Sequence, residues 1–208
     1  VEMILIASRL WKRLNLENYM TLEINSLGDI LTREKYMKEL KAYLNKHKSK
    51  FSEEELIRIE KNPLRILDSK SPNLKDVLDN APQILDFLEK DSRDYLDRVT
   101  DILEKNSIKF SLNPNLVRGL DYYNDIVFEW KTSSLGSQDA VCGGGRYDRL
   151  VEEISGKKGS AVGFSIGMER IIILLDDVLK LIPNNNDNID CYFICLSKES
   201  FSVAQNLS

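Results

Sequence analysis

The period of the hydrophobic residues changes twice along this chain, and this change restricts the possible folds more than any other feature. Tyr19 to Asn25 alternate apolar and polar residues, as a half-buried β-strand requires. From Asp29 to about Ser107 the apolar residues recur at helical spacing within a more highly charged sequence. After Asn106 the period of two returns. This order predicts an α+β fold in which a helical segment interrupts a sheet.

We therefore expect five parts along the chain. Residues 1–28 and 108–182 form one sheet core, and residues 29–107 form an all-α insertion of four or five helices. Within that insertion Thr32, Ser52 and either Asp91 or Ser92 are the expected helix caps. Residues 183–188, PNNNDN, have the composition of a linker. Residues 189–208 then begin another domain with a buried strand and a helix.

The composition narrows the classes of protein to consider. The longest apolar run, Ile171 to Leu175, is too short to cross a bilayer, so no membrane association is expected. Cys142, Cys191 and Cys195 show no disulfide spacing and favour buried thiols in a cytoplasmic protein. With His47 the only histidine, no metal site is predicted from Cys or His.

The most informative stretch is LVRGLDYY, residues 116–123. Arg118 carries a planar fork of donors that suits a carboxylate or a phosphate, and Gly119 lets a ligand approach the backbone. Tyr122 and Tyr123 offer flat apolar faces with polar tips, which suit a planar polar ring. We predict that this stretch forms the floor of a binding site.

Two glycine-rich segments follow. CGGGRYD places Gly143 to Gly145 between a predicted strand and a helix, as either a substrate-binding backbone or a tight turn. GSAVGFSIGMER, residues 159–170, alternates small with larger residues, which leaves one strand face open for a flat ligand. Arg170 then lies in the first turn of a helix, where the helix dipole disfavours a cation. An anionic ligand explains Arg170 better than helix stability does; a structural Arg–Glu pair is the alternative.

These segments together carry a family resemblance. GSAVGFSIGMER resembles motif 3 of class II aminoacyl-tRNA synthetases. LVRGLDYY is similar to the histidine-specific motif of histidyl-tRNA synthetases, and CGGGRYDRLV to the glycine-rich substrate loop of that family. NSLGD and NPLRILDSK also resemble its bacterial members, so the likeness covers essentially the whole chain.

The resemblance implies an antiparallel class II catalytic sheet, a helical insertion near the tRNA acceptor arm and the start of an α/β anticodon-binding domain. It implies a histidine–tRNA ligase that activates L-histidine with ATP and Mg²⁺ and transfers it to tRNA(His), as a homodimer in the complete enzyme. Arg118 and Arg170 would be catalytic, and Arg118, Gly167 and Arg170 would contact ATP. Histidine would lie against Arg118, the tyrosine pair and the glycines, with support from two neighbours: Tyr122, Tyr123, Gly143, Gly144, Gly145, Arg146 and Tyr147.

The basic stretch from Leu31 to Lys50 allows two interpretations. It holds seven Lys or Arg residues against two acidic ones. A solvated helix face explains this pattern without any ligand. Within a synthetase, the same stretch is better interpreted as a surface that faces tRNA.

Two other functions remain open on sequence grounds. Chains that resemble histidyl-tRNA synthetases also serve as regulatory subunits of an ATP phosphoribosyltransferase. Such chains tend to lose the substrate arginine, the tyrosine pair or the insertion, all of which this chain keeps. A stand-alone tRNA-binding module does not explain the intact motif 3.

The first two class II motifs are not found in this sequence, so we expect an internal piece of a longer enzyme. We predict that the 208 residues alone will not catalyse histidine-dependent exchange of pyrophosphate into ATP. The full-length protein is the positive control. Exchange by the isolated chain above a no-histidine blank would contradict this expectation.

Overall fold

A computed structural model describes residues 1–67, 69, 71–118, 122–136, 139–177, 180 and 193–207. Its strands are β1 (Thr21–Ser26), β2 (Ser111–Leu112), β3 (Asn124–Lys131), β4 (Ala140–Arg146) and β5 (Val162–Ile166). Its α-helices are α1 (Glu2–Arg13), α2 (Ile30–Lys46), α3 (Glu53–Lys61), α4 (Lys75–Asp79), α5 (Lys90–Lys105), α6 (Asp148–Ser155), α7 (Met168–Asp177) and α8 (Lys198–Leu207). Short 3-10 turns occupy Glu17–Tyr19, Lys48–Lys50, Pro63–Ile66, Pro72–Leu74, Ile84–Phe87 and Ser133–Leu135.

The five strands form one sheet in the order β2-β1-β3-β4-β5. All neighbours are antiparallel except β1 and β2, which run parallel because the helical segment returns the chain to the edge it left. Glu23 of β1 lies opposite Ser111 of β2 and also opposite Glu129 of β3. The predicted sheet, interrupted between β1 and β2 by helices α2 to α5, is therefore present.

The sheet separates two hydrophobic clusters because side chains alternate along each strand. One cluster packs α1, α5 and α7 against the face that carries Leu22, Ile24 and Phe128. Trp11 of α1 meets Trp130 of β3 edge-on, with ring centroids 6.3 Å apart. The second cluster packs the helices of residues 30–88 against Val127 on the other face. This second face is the one that carries the candidate site.

The helical segment shares its core with the sheet. Leu116, Val117 and Tyr123 belong to the same buried cluster as Tyr36, Leu40 and Leu44 of α2. Burial of Tyr36 raises the pKa of its hydroxyl well above its usual range. The expected domain boundaries at residues 28, 107 and 182 stay a prediction, and the predicted linker 183–188 lies outside the described residues.

Some helix caps differ from those that the sequence predicts. Ser52 and Glu55 form the expected capping box of α3, with backbone-to-side-chain distances of 2.8 and 3.3 Å. Asp29, however, caps α2 by accepting from Thr32 N at 2.7 Å, while Thr32 itself is buried one turn inside. Helix α5 begins after Glu89 without a side-chain cap, so neither Asp91 nor Ser92 has that role.

Three expected features of burial are also wrong. Helical spacing predicts that Ile102 of α5 points inward and that Ile154 lies on the apolar face of α6, yet both side chains are exposed. Phe193 to Leu196, the described part of the last predicted strand, form no strand and are exposed, and so is the Cys195 thiol. Cys191 lies outside the described residues. An apolar run becomes a buried strand only where neighbouring strands pair with it and cover it.

None of the described helices is long and apolar enough to cross a membrane.

Gly28, between β1 and α2, lies where the helical segment packs closely against the end of the sheet. Its backbone has φ +62°, and a Cβ there would lie 2.8 Å from Thr32 Cβ and 3.1 Å from Leu88 Cδ2. Gly156, after α6, has φ +69°, and a Cβ added there would have no heavy atom within 4 Å among the described residues. Of these two glycines, only Gly28 therefore combines a left-handed backbone with close packing.

We predict that Gly28→Ala lowers the free energy of unfolding by about 2–4 kcal/mol, since backbone strain and overpacking add. Gly156→Ala is the matched control and should cost only about 1–2 kcal/mol, from the backbone term alone. Urea unfolding of both variants measures the difference. Equal losses in the two variants would contradict the packing described at Gly28.

Candidate active site

The floor of the candidate site is β4, and its glycines lie inside the strand. The sequence placed Gly143 to Gly145 between a strand and a helix, whereas all three pair in register with β3 and with β5. Gly143 and Gly145 share one face because they are two residues apart. Gly144 faces the opposite side, where a Cβ would lie 2.6 Å from Phe164 Cβ. The predicted floor therefore presents two of its three glycines to the site.

Arg118 lies directly on the backbone of β4. A Cβ at Gly143 would overlap the Arg118 guanidinium, so this close approach requires glycine. Arg118 Nη1 donates to Glu129 Oε1 of β3, the residue opposite Gly143. Arg118 Nε is buried without a hydrogen-bond partner among the described residues. One side of the guanidinium is thus held by a carboxylate, and the other still has a donor to offer.

Tyr123 lies against β4 two residues farther along the strand. A Cβ at Gly145 would lie 3.0 Å from Tyr123 Cδ1, so this glycine makes room for the ring. Tyr122 and Tyr147 surround Tyr123, with ring centroids 4.8 and 5.9 Å away. Burial and the neighbouring Tyr122 raise the pKa of Tyr123, so its hydroxyl keeps its proton at neutral pH. Three tyrosines therefore form an aromatic cluster against the glycines of β4.

Arg170 approaches the other end of β4. It occupies the first turn of α7, as predicted, and its Nη1 donates to the carbonyl of Ala140. A Cβ at Gly167 would lie 3.2 Å from Arg170 Cδ, so the glycine lets this side chain lie close to the chain. The structure therefore brings Arg118, Tyr122, Tyr123, Gly143, Gly145, Gly167 and Arg170 to one strand. Gly119 lies outside the described residues.

Four polar residues that the sequence analysis missed complete the floor. Lys131 Nζ lies 2.8 Å from Glu23 Oε2 and 3.8 Å from Glu129 Oε2, and Asn113 Nδ2 donates to Glu23 Oε2 at 2.7 Å. Burial raises the pKa of Glu129, although Arg118 and Lys131 act against the shift. Burial lowers the pKa of Lys131, but Glu23 and Glu129 outweigh it and the net shift is upward. The available signal was a pair of charged residues two positions apart in β3, Glu129 and Lys131, and a single charge between apolar residues in β1, Glu23.

Arg146 and Tyr147 support the floor from its far end. Arg146 Nε donates to Asp148 Oδ2 at 2.7 Å, and its Nη2 donates to Ser160 Oγ at 3.1 Å. A Cβ at Gly163 of β5 would overlap the Tyr147 hydroxyl. No group of three or more metal-ligating His, Cys, Asp or Glu side chains occurs among the described residues. The arrangement is a guanidinium beside a tyrosine cluster, which can bind an anion next to an aromatic ring.

Comparison with known proteins identifies the family. A family model described as histidyl-tRNA synthetase matches residues 3–171. The chain belongs to the histidyl-tRNA synthetase family. It is 45% identical over 210 residues to the histidine–tRNA ligase of Francisella tularensis subsp. novicida (strain U112), covering 100% of this chain and 50% of that protein. The chain thus spans about half the length of the curated relatives it matches.

Solved structures of histidyl-tRNA synthetases agree with the fold. The apo enzyme from S. aureus superposes with a TM-score of 0.66 at 28% identity, covering 99% of this chain and 50% of that one. A histidyl-tRNA synthetase from Nostoc sp. PCC 7120 gives a TM-score of 0.53 at 20% identity, over 85% and 46% of the two chains. The expected class II catalytic fold of the family is confirmed.

The burial of Cys142 on β4 leads to a prediction about the reactivity of its thiol. Cys142 lies on β4 next to Gly143 but points into the core, and burial raises the pKa of its thiol to about 12. At a pH of about 8 almost none of it is thiolate, the form that reacts. We predict that iodoacetamide modifies the exposed Cys195 of the native protein and leaves Cys142 unmodified, as mapped by peptide mass spectrometry. Protein unfolded in guanidinium should be modified at both; equal rates in the native state would contradict the burial of β4.

Proposed function

We propose that the full-length protein containing this chain is a histidine–tRNA ligase. It would activate L-histidine with ATP to histidyl-adenylate and transfer the histidyl group to tRNA(His). One observation supports this most strongly: Arg170, Arg118 and Tyr123 contact β4 in that order, at Ala140, Gly143 and Gly145. At about 3.3 Å per strand residue, these positions are roughly 10 and 7 Å apart. An extended adenylate needs a nucleotide contact, an anion contact and a ring pocket in the same order.

Arg118 is assigned to the reacting centre. In the activation step a histidine carboxylate oxygen attacks the α-phosphorus of ATP, and pyrophosphate leaves. Negative charge on the phosphoryl oxygens is then stabilised by a fixed guanidinium that is already desolvated. Arg118 is only about one-fifth exposed, and Glu129 fixes one of its nitrogens. It can donate to the substrate carboxylate and to the α-phosphate without first being ordered.

Tyr123 and Tyr122 are assigned to the imidazole of histidine. The Tyr123 hydroxyl is protonated at neutral pH, like any tyrosine, so it can donate to an unprotonated ring nitrogen. Tyr122 and Tyr147 supply aromatic walls whose ring centroids lie 4.8 and 5.9 Å from it. Gly143 and Gly145, with Gly144 between them, would form the pocket floor, because a side chain at Gly143 or Gly145 would displace Arg118 or Tyr123 from β4.

ATP would bind along the Arg170 end of the strand. Arg170 and Gly167 are assigned to the nucleotide, since a guanidinium can stack on adenine or pair with the γ-phosphate. Mg²⁺ enters as part of the substrate, bound to ATP phosphates, since its preferred ligands are oxygen atoms and water. The two floor carboxylates are already paired, Glu23 with Lys131 and Glu129 with Arg118. Neither of them is therefore assigned to Mg²⁺.

The helical segment is assigned to tRNA. Lys38, Lys46, Lys48 and Lys50 are exposed along α2 and the turn after it. In the same stretch, two lysines form ion pairs of 2.7 and 2.6 Å: Lys35 with Glu89, and Lys41 with Glu60. Exposed lysines on one element match phosphate contacts, which would make tRNA binding strongly salt-dependent. Homodimer formation and a cytoplasmic location complete the proposal.

The sharpest test is Arg118→Ala in the full-length protein. We predict a loss of about 10²–10³-fold in kcat for histidine-dependent ATP–pyrophosphate exchange, roughly 3–4 kcal/mol of transition-state stabilisation. Arg149→Ala is the matched control, because Arg149 lies on the surface of α6, where it pairs with Glu153 at 3.6 Å. The control should keep exchange within about twofold of wild type, since an exposed ion pair contributes little.

Two outcomes count against the proposal. Near-normal exchange by the Arg118 variant would refute the role of this residue. A wild-type protein that binds histidine without catalysing exchange would refute the ligase assignment and favour the regulatory-subunit alternative.

A further inference from the structure

The segment NSLGD, residues 25–29, has no role in the chemistry assigned so far, yet it contains a fully buried amide. Asn25 lies on β1 and is 0% exposed. It alternates with Ile24, which faces the α1 cluster, so Asn25 faces the same side of the sheet as Glu129 and Gly143. A buried amide is costly unless its hydrogen bonds are made, so its partners show what it does.

Both ends of the Asn25 amide are used. Nδ2 donates to the carbonyls of Pro114 and Leu116, at 3.2 and 3.0 Å. Oδ1 accepts from Ser26 N at 2.9 Å. The orientation of the amide is unambiguous, because two carbonyls on one side require donors and an N–H on the other requires an acceptor. Asp would lose both donors, and Gln would be too long for this geometry.

The two carbonyls belong to the segment that leads to Arg118. Asn113 N donates to Ile24 O of β1, at 3.0 Å, and Leu116 N closes a turn onto Asn113 O at 3.0 Å. Asn25 then ties down Leu116, two residues before Arg118. Arg118 itself is anchored at the tip by Glu129, while its Nε has no partner in the described part of the chain. Because only the tip of the Arg118 side chain is anchored, the direction of this side chain also depends on the position of the Arg118 backbone.

The backbone after the site segment, at Tyr123 and Asp125, is hydrogen-bonded to residues 27–33. Arg33 Nη1 donates to Tyr123 O at 3.3 Å. Leu27 N donates to Asp125 O at 2.7 Å, and Asp125 N donates to Gly28 O at 3.0 Å. The chain from Asn25 to Arg33 thus holds residues on both sides of 119–121.

We propose that Asn25 is a positioning residue that sets the location of Arg118 over Gly143. This inference rests on the proposed histidine–tRNA ligase function. Asn25 is not assigned to any substrate; it acts through two backbone carbonyls. A purely structural Asn25 would lower stability without any special link to Arg118, and the two roles can be separated by experiment.

The experiment is a double-mutant cycle in the full-length protein, read as kcat/KM for histidine in ATP–pyrophosphate exchange. With Arg118 intact, Asn25→Asp should lower this value on the order of 100-fold, the effect of a displacement of about 1 Å at a reacting group. In an Arg118→Ala background the same change should cost less than about threefold, because its target is gone. Asn25→Ala provides a second variant if the aspartate variant does not fold.

Thr132→Ala is the matched control. Thr132 is buried and caps the turn between β3 and β4 by accepting from Ser134 N at 3.3 Å. Its own N–H donates to the carbonyl of Asp139 at 2.9 Å, so its hydrogen bonds serve this turn and not the segment before Arg118. Its effect should be the same factor in both backgrounds. Equal losses for the Asn25 variants in the two backgrounds, or no loss at all, would overturn the proposal.

A second measurement does not depend on catalysis. Hydrogen exchange of the full-length Asn25 variants should show faster exchange of the Asn115 and Leu116 amides, by at least about tenfold, with the amides of β3 and β4 unchanged. Uniformly faster exchange would overturn the proposal. If wild-type protein lacks pyrophosphate-exchange activity, the ligase function fails, whereas the hydrogen-exchange result still decides whether Asn25 holds this segment.

Discussion

The contact of the Arg118 guanidinium with the bare backbone of β4 is the interaction on which the site depends. A buried cation is tolerated only where an anion and further hydrogen-bond acceptors are arranged for it. Glu129 provides that anion because the register of β3 and β4 places it opposite Gly143. Gly143 provides the space, since any Cβ there would overlap the guanidinium. Sheet register, a missing side chain and one carboxylate together fix the charge that is proposed to meet the substrate.

The helical insertion is part of this arrangement. The chain leaves the sheet after β1 and returns beside it as β2, so residues about 90 apart in sequence become neighbours: Glu23 with Asn113, Asn25 with Leu116. The core of the insertion includes Leu116, Val117 and Tyr123, which belong to the site segment. A change in the packing of α2 would consequently reach the site through shared buried contacts. If α2 contacts tRNA as proposed, this shared packing is a physical route by which such contacts would affect Arg118.

Periodicity predicted most of the architecture, and its failures have specific causes. Alternation indicated β1 and β5, and β-forming residues indicated β3. Arg118, Tyr122 and Tyr123, which the sequence singled out, lie close together, while their role stays a prediction. Gly143 to Gly145 were misplaced because glycine carries no β-propensity, so only pairing with β3 and β5 reveals a strand. A buried polar residue is indistinguishable from a solvated one until its neighbours in the fold are known, which is why the sequence analysis missed five: Glu23, Asn25, Asn113, Glu129 and Lys131. Most of their partners are distant in sequence, such as Lys131 for Glu23, Leu116 for Asn25 and Arg118 for Glu129, and local sequence does not specify these pairs.

The charged side chains on the floor of the site balance one another in the absence of substrate. Arg118 and Lys131 carry two positive charges, and Glu129 and Glu23 carry two negative ones, so these four charges balance in the unliganded floor. A histidine carboxylate and the ATP phosphates would bring an excess of negative charge. In the proposed reaction, Arg118 would meet part of this charge while Glu129 still holds its Nη1. Arg170 and the Mg²⁺ bound with ATP would have to neutralise the remainder, so the strongest electrostatic demand would fall on the side of the leaving pyrophosphate.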